Sequence, residues 1–189
     1  MRNIFQNLLF LFPALLYIGC TSPSSYIRTK FIAGKKEGMI AGTISIREKS
    51  FLSTLQSHTL EFSRDTSVAR LIKGDKATWT KARDMKGRGS IYISGYQSDF
   101  KDGKNHIFLF NIVKPEGSYK FFKLSLFYNS GAIQSTQDYW IDIPFDIIEG
   151  QTIYLGEIEI NHKEGSFNFT NKIERDRIYF AEKFPTIKF

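Results

Sequence analysis

The sequence predicts a mainly β fold, an antiparallel sandwich of about eight strands that one short helix follows at the C-terminus. Apolar and polar residues alternate in one segment after another, which is the period of a strand with one buried face. Aromatic residues make up 15% of the chain, and they favour half-buried strand surfaces. Turn signals separate these segments at short intervals, which is typical of a sandwich.

The predicted strands follow one another through most of the chain. They cover residues 40–46, 58–64, 90–98, 106–113, 119–128, 139–143, 145–148, 152–160 and 167–169. The nearly continuous apolar run at 106–113 indicates a central strand. Lys114-Pro115-Glu116-Gly117 predicts a turn, because Pro fixes φ and Gly accepts a positive φ. Tyr119 is expected at the sandwich edge with its hydroxyl bonded to backbone, and Gly156 predicts a bulge or a close approach within a strand.

A helix is predicted at residues 173–183. Its face is expected to carry Ile173, Arg177 and Phe180–Ala181, which fall at helical spacing. Pro185 ends the helix, and Asn171 is expected to cap its start.

The first residues have the organisation of a secretory signal peptide. Arg2 supplies a positive end, and residues 8–18 form an apolar core. A spanning helix needs about 20 apolar residues, so a membrane-spanning anchor is the less favoured alternative. Three segments are therefore predicted: a signal peptide at 1–19, a Ser/Thr-rich flexible tether at 20–37, and a sandwich domain with its helix at 38–189.

The end of the leader, Leu16-Tyr17-Ile18-Gly19-Cys20, resembles the lipobox of bacterial lipoproteins. The resemblance implies cleavage between Gly19 and Cys20, a diacylglycerol on the Cys20 sulfur, and a new amino group open to acylation by a fatty acid such as palmitate. Tyr17 stands where Leu is usual, and an ordinary signal peptide with a chance cysteine is the alternative. Cys20 is the chain's single cysteine, which favours the lipidated form. The resemblance also implies delivery to the outer membrane where two membranes exist, because Thr21 rather than Asp follows the cysteine.

Two hairpins resemble those of prealbumin-like and carboxypeptidase-regulatory-like sandwiches. Residues 110–119 match the strand–PGxY–strand pattern with Glu116 inserted, and residues 145–158 match a later hairpin that turns at Gly. The resemblance implies a Greek-key sandwich of seven or eight strands. It implies no catalytic residue.

The residues that could carry chemistry are scattered. His58, His106 and His162 have no metal-ligand spacing, so surface histidines and no metal site are expected. Asp102-Gly103 predicts a hairpin turn rather than a calcium loop. Glu157 and Glu159 lie two apart on one strand, which predicts a solvated face rather than an acid–base pair. The acids of Glu174-Arg175-Asp176-Arg177 are expected to complement the helix macrodipole.

One basic stretch is a candidate ligand surface. Lys81, Arg83, Lys86 and Arg88 could contact phosphate or lipopolysaccharide, with a solvated loop as the alternative. The aromatic residues Trp79, Tyr96, Tyr139 and Trp140 could stack on sugars or simply pack.

The charge limits the classes of partner. The net charge of +7 favours anionic lipid or polymers, but no dense Lys/Arg block indicates a nucleic-acid protein. The expected function is therefore a membrane-anchored, non-enzymatic binding or accessory module of the cell envelope. It would need no cofactor beyond its covalent lipid, and its partners would be the membrane and other envelope proteins or glycans. Two alternatives stay open: an envelope hydrolase with a site assembled from distant residues, and a structural subunit that pairs through an exposed strand edge.

Overall fold

The computed structural model describes residues 36–47, 55–65, 87–94, 98–161 and 166–189. These residues form nine strands and one helix, so the prediction of a mainly β chain is confirmed. The elements are β1 (Glu37–Arg47), β2 (Leu55–Arg64), β3 (Gly89–Ser94), β4 (Phe100–Asp102), β5 (Asn105–Pro115), β6 (Gly117–Asn129), β7 (Gln134–Ile147), β8 (Thr152–Asn161), β9 (Ser166–Thr170) and α1 (Ile173–Lys183). The predicted signal peptide and almost all of the predicted tether, through residue 35, lie outside the described residues.

The number and division of the strands differ from the prediction in two places, and β3 ends at Ser94 rather than at residue 98. β4 was not predicted, because three residues are too few to show an alternation. β7 is one strand where two short ones around Pro144 were expected. It is an edge strand of its sheet, where a residue without an amide hydrogen can be accommodated.

The strands form two sheets. The five-stranded sheet has the order β4-β5-β1-β8-β9, and the four-stranded sheet has the order β3-β2-β6-β7. Every described pair is antiparallel except β1 with β8, which is parallel. The prediction of a wholly antiparallel sandwich is therefore wrong for this pair. No tight hairpin joins β1 to β8, so no turn dictates their relative direction.

The two sheets pack face to face around an aromatic core. The ring of Phe121 in β6 meets Phe110 of β5 at 6.2 Å between centroids and Phe62 of β2 at 5.7 Å, both edge-to-face. A second apolar cluster lies on the other side of the five-stranded sheet. There Met39, Ala41 and Leu109 pack against Phe180, Phe184 and Ile187 of α1 and the residues after it. β1 is thus covered on both faces, and it is buried from Gly38 to Ile46.

The hairpin between β5 and β6 is closed by a buried tyrosine. The Tyr119 hydroxyl donates a hydrogen bond of 2.8 Å to the carbonyl of Pro115, and the residue is 1% exposed. The prediction of a tyrosine whose hydroxyl is bonded to backbone is confirmed. The bond joins the start of β6 to the end of β5 and so helps to set the register of the hairpin.

We expect Tyr119→Phe to lower the free energy of unfolding by about 1 kcal/mol, because it removes one buried hydrogen bond and leaves the Pro115 carbonyl without that donor. Urea denaturation checks this. Tyr92→Phe is the matched control, since Tyr92 is 43% exposed and should change stability by less than about 0.5 kcal/mol. Equal midpoints for the two variants would contradict the role given to the Tyr119 hydroxyl.

Glycine is required at two of the positions that the sequence indicated. Gly103 has φ +59 and begins the two-residue loop Gly103-Lys104 between β4 and β5, one residue later than predicted. Gly156 has φ +123, and a Cβ there would lie 2.8 Å from the ring of Phe169. The register of β8 against β1 shifts just before Gly156, so the predicted bulge is confirmed.

Candidate functional site

A buried polar network joins α1 to the five-stranded sheet. Asp176 is completely buried. Its Oδ2 accepts hydrogen bonds from the Thr43 hydroxyl at 2.7 Å and the Tyr154 hydroxyl at 2.6 Å. Its Oδ1 accepts a third, of 2.7 Å, from Nε of Arg175. One carboxylate therefore holds the helix against both β1 and β8.

Arg175 extends this network to the surface. Its Nη1 lies 2.7 Å from Oδ2 of Asp102, and its Nη2 lies 2.5 Å from Oε2 of Glu157. Its guanidinium also lies 5.3 Å from the ring centroid of Phe100. Burial alone would lower the pKa of Arg175, but its hydrogen bonds to Glu157, Asp102 and Asp176 outweigh that effect and raise the pKa above its ordinary value.

The prediction of a solvated face at Glu157 and Glu159 is wrong for Glu157. Glu157 is 4% exposed, and Arg175 binds its carboxylate. The physical reason is that α1 packs on this face of the sheet and shields part of it from water.

The inward face of α1 also differs from the prediction. Asp176 and Phe180 are its buried residues, whereas the Arg177 side chain is 51% exposed. Complementing the macrodipole is therefore not the whole role of Asp176. Lys172 is the N-cap and its side chain makes no capping bond, but Oδ1 of Asn171 accepts a 3.0 Å hydrogen bond from the amide of Ile173.

The network is suited to holding elements together, because each of its charges faces an opposite charge. Within the described ranges, no group of three or more His, Cys, Asp or Glu side chains is arranged to hold a metal ion.

Tyr154 makes the network sensitive to high pH. Burial first, and then its hydrogen bond to Asp176, raise the pKa of Tyr154 well above the ordinary value of 10.0. Above pH 10 the unfolded chain loses this proton while the folded chain keeps it, so stability falls as pH rises. Below pH 10 this contribution is fully present.

We expect the free energy of unfolding to fall less steeply between pH 10 and 12 in Tyr154→Phe than in the wild type. Urea denaturation at a series of pH values measures both slopes. Tyr92→Phe, which changes an exposed tyrosine, should keep the wild-type slope. Identical slopes for all three proteins would contradict the assignment.

A second charged cluster lies on the outer face of the four-stranded sheet. The Arg88 guanidinium donates to the Glu61 carboxylate, and Nζ of Lys123 lies 2.8 Å from the same carboxylate. Arg88 is the one described member of the predicted basic ligand surface, since Lys81, Arg83 and Lys86 lie outside the described residues. That surface stays a prediction.

Of the four aromatic residues that could stack on sugars, the two that the structure describes differ in exposure. Trp140 is 51% exposed on β7 and stacks on Phe122 with centroids 6.3 Å apart. Tyr139 packs against the core. Trp79 and Tyr96 lie outside the described residues.

The two described histidines lie on different sheets, His58 on β2 and His106 on β5. His58 is buried on β2, so the prediction of a surface histidine is wrong there. His106 is half-buried, with Nδ1 at 3.2 Å from Oγ of Ser98. His162 lies outside the described residues.

A cavity opens between the two sheets. It has a volume of about 210 Å³ and lies between β3 and the residues of β5 from Phe108 onward. Among the described strands, both form the edges of their sheets there, because β4 pairs only with the first three residues of β5. Its lining includes the large apolar residues Phe62, Ile91, Ile93, Phe108, Phe110 and Ile112. We refer to this space as the inter-sheet cleft.

Lys114 lies at the end of the inter-sheet cleft. Its Nζ donates a 3.3 Å hydrogen bond to the carbonyl of Arg88 and lies 5.7 Å from the ring centroid of Phe62. The sequence predicted only a turn at Lys114. The signal that could have placed it is the alternation of Phe108, Phe110 and Ile112, which continues to position 114 and puts the lysine on the inner face of its strand.

Comparison with known proteins adds little to this geometry. No family model and no curated protein matches the chain. One solved structure, a leucine-rich repeat protein from Bacteroides thetaiotaomicron, is similar to it with 13% identity and a TM-score of 0.35. The match covers 66% of this chain and 14% of that one. Among the described residues, no helix combines the length and hydropathy that crossing a bilayer requires.

Proposed function

We propose that this chain is a cell-envelope lipoprotein whose β-domain is a non-enzymatic binding module. In this proposal the leader directs export, cleavage precedes Cys20, and lipid on that cysteine holds the domain at a membrane, the outer one where two exist. The leader, the lipobox resemblance and the single cysteine support the anchor. Two or more acyl chains give stable anchoring, whereas one chain binds only reversibly.

The inter-sheet cleft is the observation that carries the binding role. Ligand sites are concave and mostly apolar, with a few polar groups that fix orientation. The cleft has mostly apolar walls, with Ser90 and Asn111 among its lining residues and Lys114 at its end. The Arg175 network and the Glu61 cluster already use their charges internally. The cleft therefore supports binding better than either cluster supports catalysis.

Mass spectrometry of the native N-terminus tests the anchor. We expect a mature protein that begins at Cys20 and carries diacylglycerol, and we expect Cys20→Ala to abolish the acyl mass. Native protein that retains Met1, or that lacks acyl mass on Cys20, would refute the anchor.

Affinity capture from an envelope extract tests the binding role. Residues 21–189 contain every described strand, the helix and both core clusters, so they retain the whole described fold. We expect this chain to retain an envelope molecule that a heat-unfolded sample does not. Repeated recovery of no protein, glycan or lipid would refute a binding role.

We also propose that the domain is a Greek-key sandwich of the prealbumin-like kind. The tyrosine that follows the Pro-Glu-Gly turn supports this, because its hydroxyl bonds back to Pro115 across the hairpin. An experimental structure whose strand connections lack a Greek key would overturn the assignment.

One contact favours the alternative of an envelope hydrolase. Ser98 and His106 lie at the outer limit of the 2.6–3.2 Å range typical of an activated nucleophile and its base. They do not line the inter-sheet cleft. Hydrolysis of a p-nitrophenyl ester that Ser98→Ala abolishes would establish this alternative, and equal background rates for both proteins would exclude it.

A further inference from the structure

We infer that the inter-sheet cleft binds the apolar chain of a single-chain anionic amphiphile, such as a fatty acid, with its carboxylate at Lys114. This rests on the proposed binding role and names the class of ligand. Three features carry it: the shape of the cleft, its apolar walls and the surroundings of the lysine.

The cleft has room for one narrow apolar chain. Its volume of about 210 Å³ exceeds the roughly 150 Å³ of an apolar cavity that holds benzene. Its β3 wall runs from Gly89 to Ile93, which is about 13 Å of strand. An extended chain fits such a slot, whereas a two-chain phospholipid exceeds it.

The walls favour an alkyl chain over a polar one. Apart from Lys114, the inward side chains of β3 and β5 that border the cleft are isoleucine and phenylalanine, and Ile44 of β1 and Phe62 of β2 also border it, whereas Ser90 and Asn111 add polar groups. Each methylene transferred from water to such a surface should tighten binding about fourfold.

Lys114 supplies the charge that selects an anionic head. Its side chain lies on the inner side of β5, beside the ring of Phe62. In the described part of the chain it is in no ion pair, and its ammonium contacts only a neutral carbonyl and an aromatic ring. An entering carboxylate would therefore gain a charge-assisted hydrogen bond.

The test is isothermal titration calorimetry of residues 21–189 with hexanoate, octanoate, decanoate and dodecanoate, each below its micellar concentration. Octanol, which lacks the charge, is the matched control ligand. We expect affinity to rise with chain length until the cleft is filled. We expect octanoate to bind more tightly than octanol.

Two variants locate the site. Lys114→Gln should weaken octanoate binding about tenfold or more, the effect of losing one hydrogen bond to a charged group, and should leave octanol binding unchanged. Lys104→Gln, in the exposed hairpin loop, is its matched control and should bind as the wild type does. Ile91→Phe, which adds bulk to the cleft wall, should weaken both ligands, and a thermal melt shows whether that variant is folded.

The outcomes separate the ligand class from the proposed function. Absence of binding by any chain length, or equal octanoate affinities for Lys114→Gln and Lys104→Gln, overturns the inference. If the fatty-acid inference is overturned but Cys20 carries lipid and another envelope molecule is captured, the proposed function of a lipid-anchored binding module still stands. Octanoate binding that depends on Lys114, with no acyl mass on Cys20, refutes the anchor and supports the cleft assignment.

Discussion

Asp176→Ala should lower the free energy of unfolding by about 3 kcal/mol or more, since breaking a buried charge pair typically costs 3–5 kcal/mol. The substitution leaves the hydroxyls of Thr43 and Tyr154 without their acceptor and removes one partner of Arg175. For a chain of this size, the melting temperature should fall by roughly 10 °C. Differential scanning calorimetry measures both quantities.

Glu174→Ala is the matched control for this substitution. Glu174 is on the same turn of α1, but its side chain is 85% exposed and its ion pair with Arg177 is long, at 3.7 Å. We expect a change of less than about 0.5 kcal/mol. Hydrogen exchange adds a second readout, since α1 amides should exchange faster in Asp176→Ala while those of β2 and β6 stay protected. Similar stabilities for the two variants would show that the network does not hold the helix.

Phe121→Ala should also destabilise the chain strongly, by about 3–5 kcal/mol, because it deletes a large buried side chain and leaves a cavity. Phe121 is completely buried. Its ring contacts Phe62, Phe110 and Phe145, which come from three different strands. The loss therefore weakens the packing of one sheet on the other.

Urea denaturation of Phe121→Ala measures this loss, with Phe169→Ala as the matched control. Phe169 is 49% exposed on the edge strand β9, so its loss should cost about 1 kcal/mol, the order of burying one methylene. A loss for Phe121→Ala no larger than for Phe169→Ala would show that the two sheets do not depend on this ring.

The elements predicted from sequence are those whose signal is local. β6 was predicted from an alternation through Phe122, Leu124, Leu126 and Tyr128, and its bounds differ from the prediction by two residues or fewer. A register shift between Phe121 and Lys123 places Phe121, rather than Phe122, in the core between the sheets. The bounds of α1 match the prediction. In both cases the residues within one element carry the whole pattern.

The features that were missed depend on contacts between distant residues. No local pattern shows that α1 packs over Glu157, so a buried carboxylate was expected to face water. The parallel pairing of β1 with β8 and the inter-sheet cleft were missed for the same reason. Both depend on which strands the fold brings to the centre and to the edge of each sheet, and sequence periodicity does not specify that.

The central position of β1 has a consequence during synthesis. β1 ends at Arg47, but its partner β8 begins only at Thr152. At about 5–20 residues per second, the ribosome needs on the order of 5–20 s to reach that partner. Until β5 is made, the nascent chain carries a largely apolar strand that lacks both neighbours, and from then until β8 is made it lacks one. A holding chaperone that covers residues 39–46 would protect the chain from aggregation until its second half emerges.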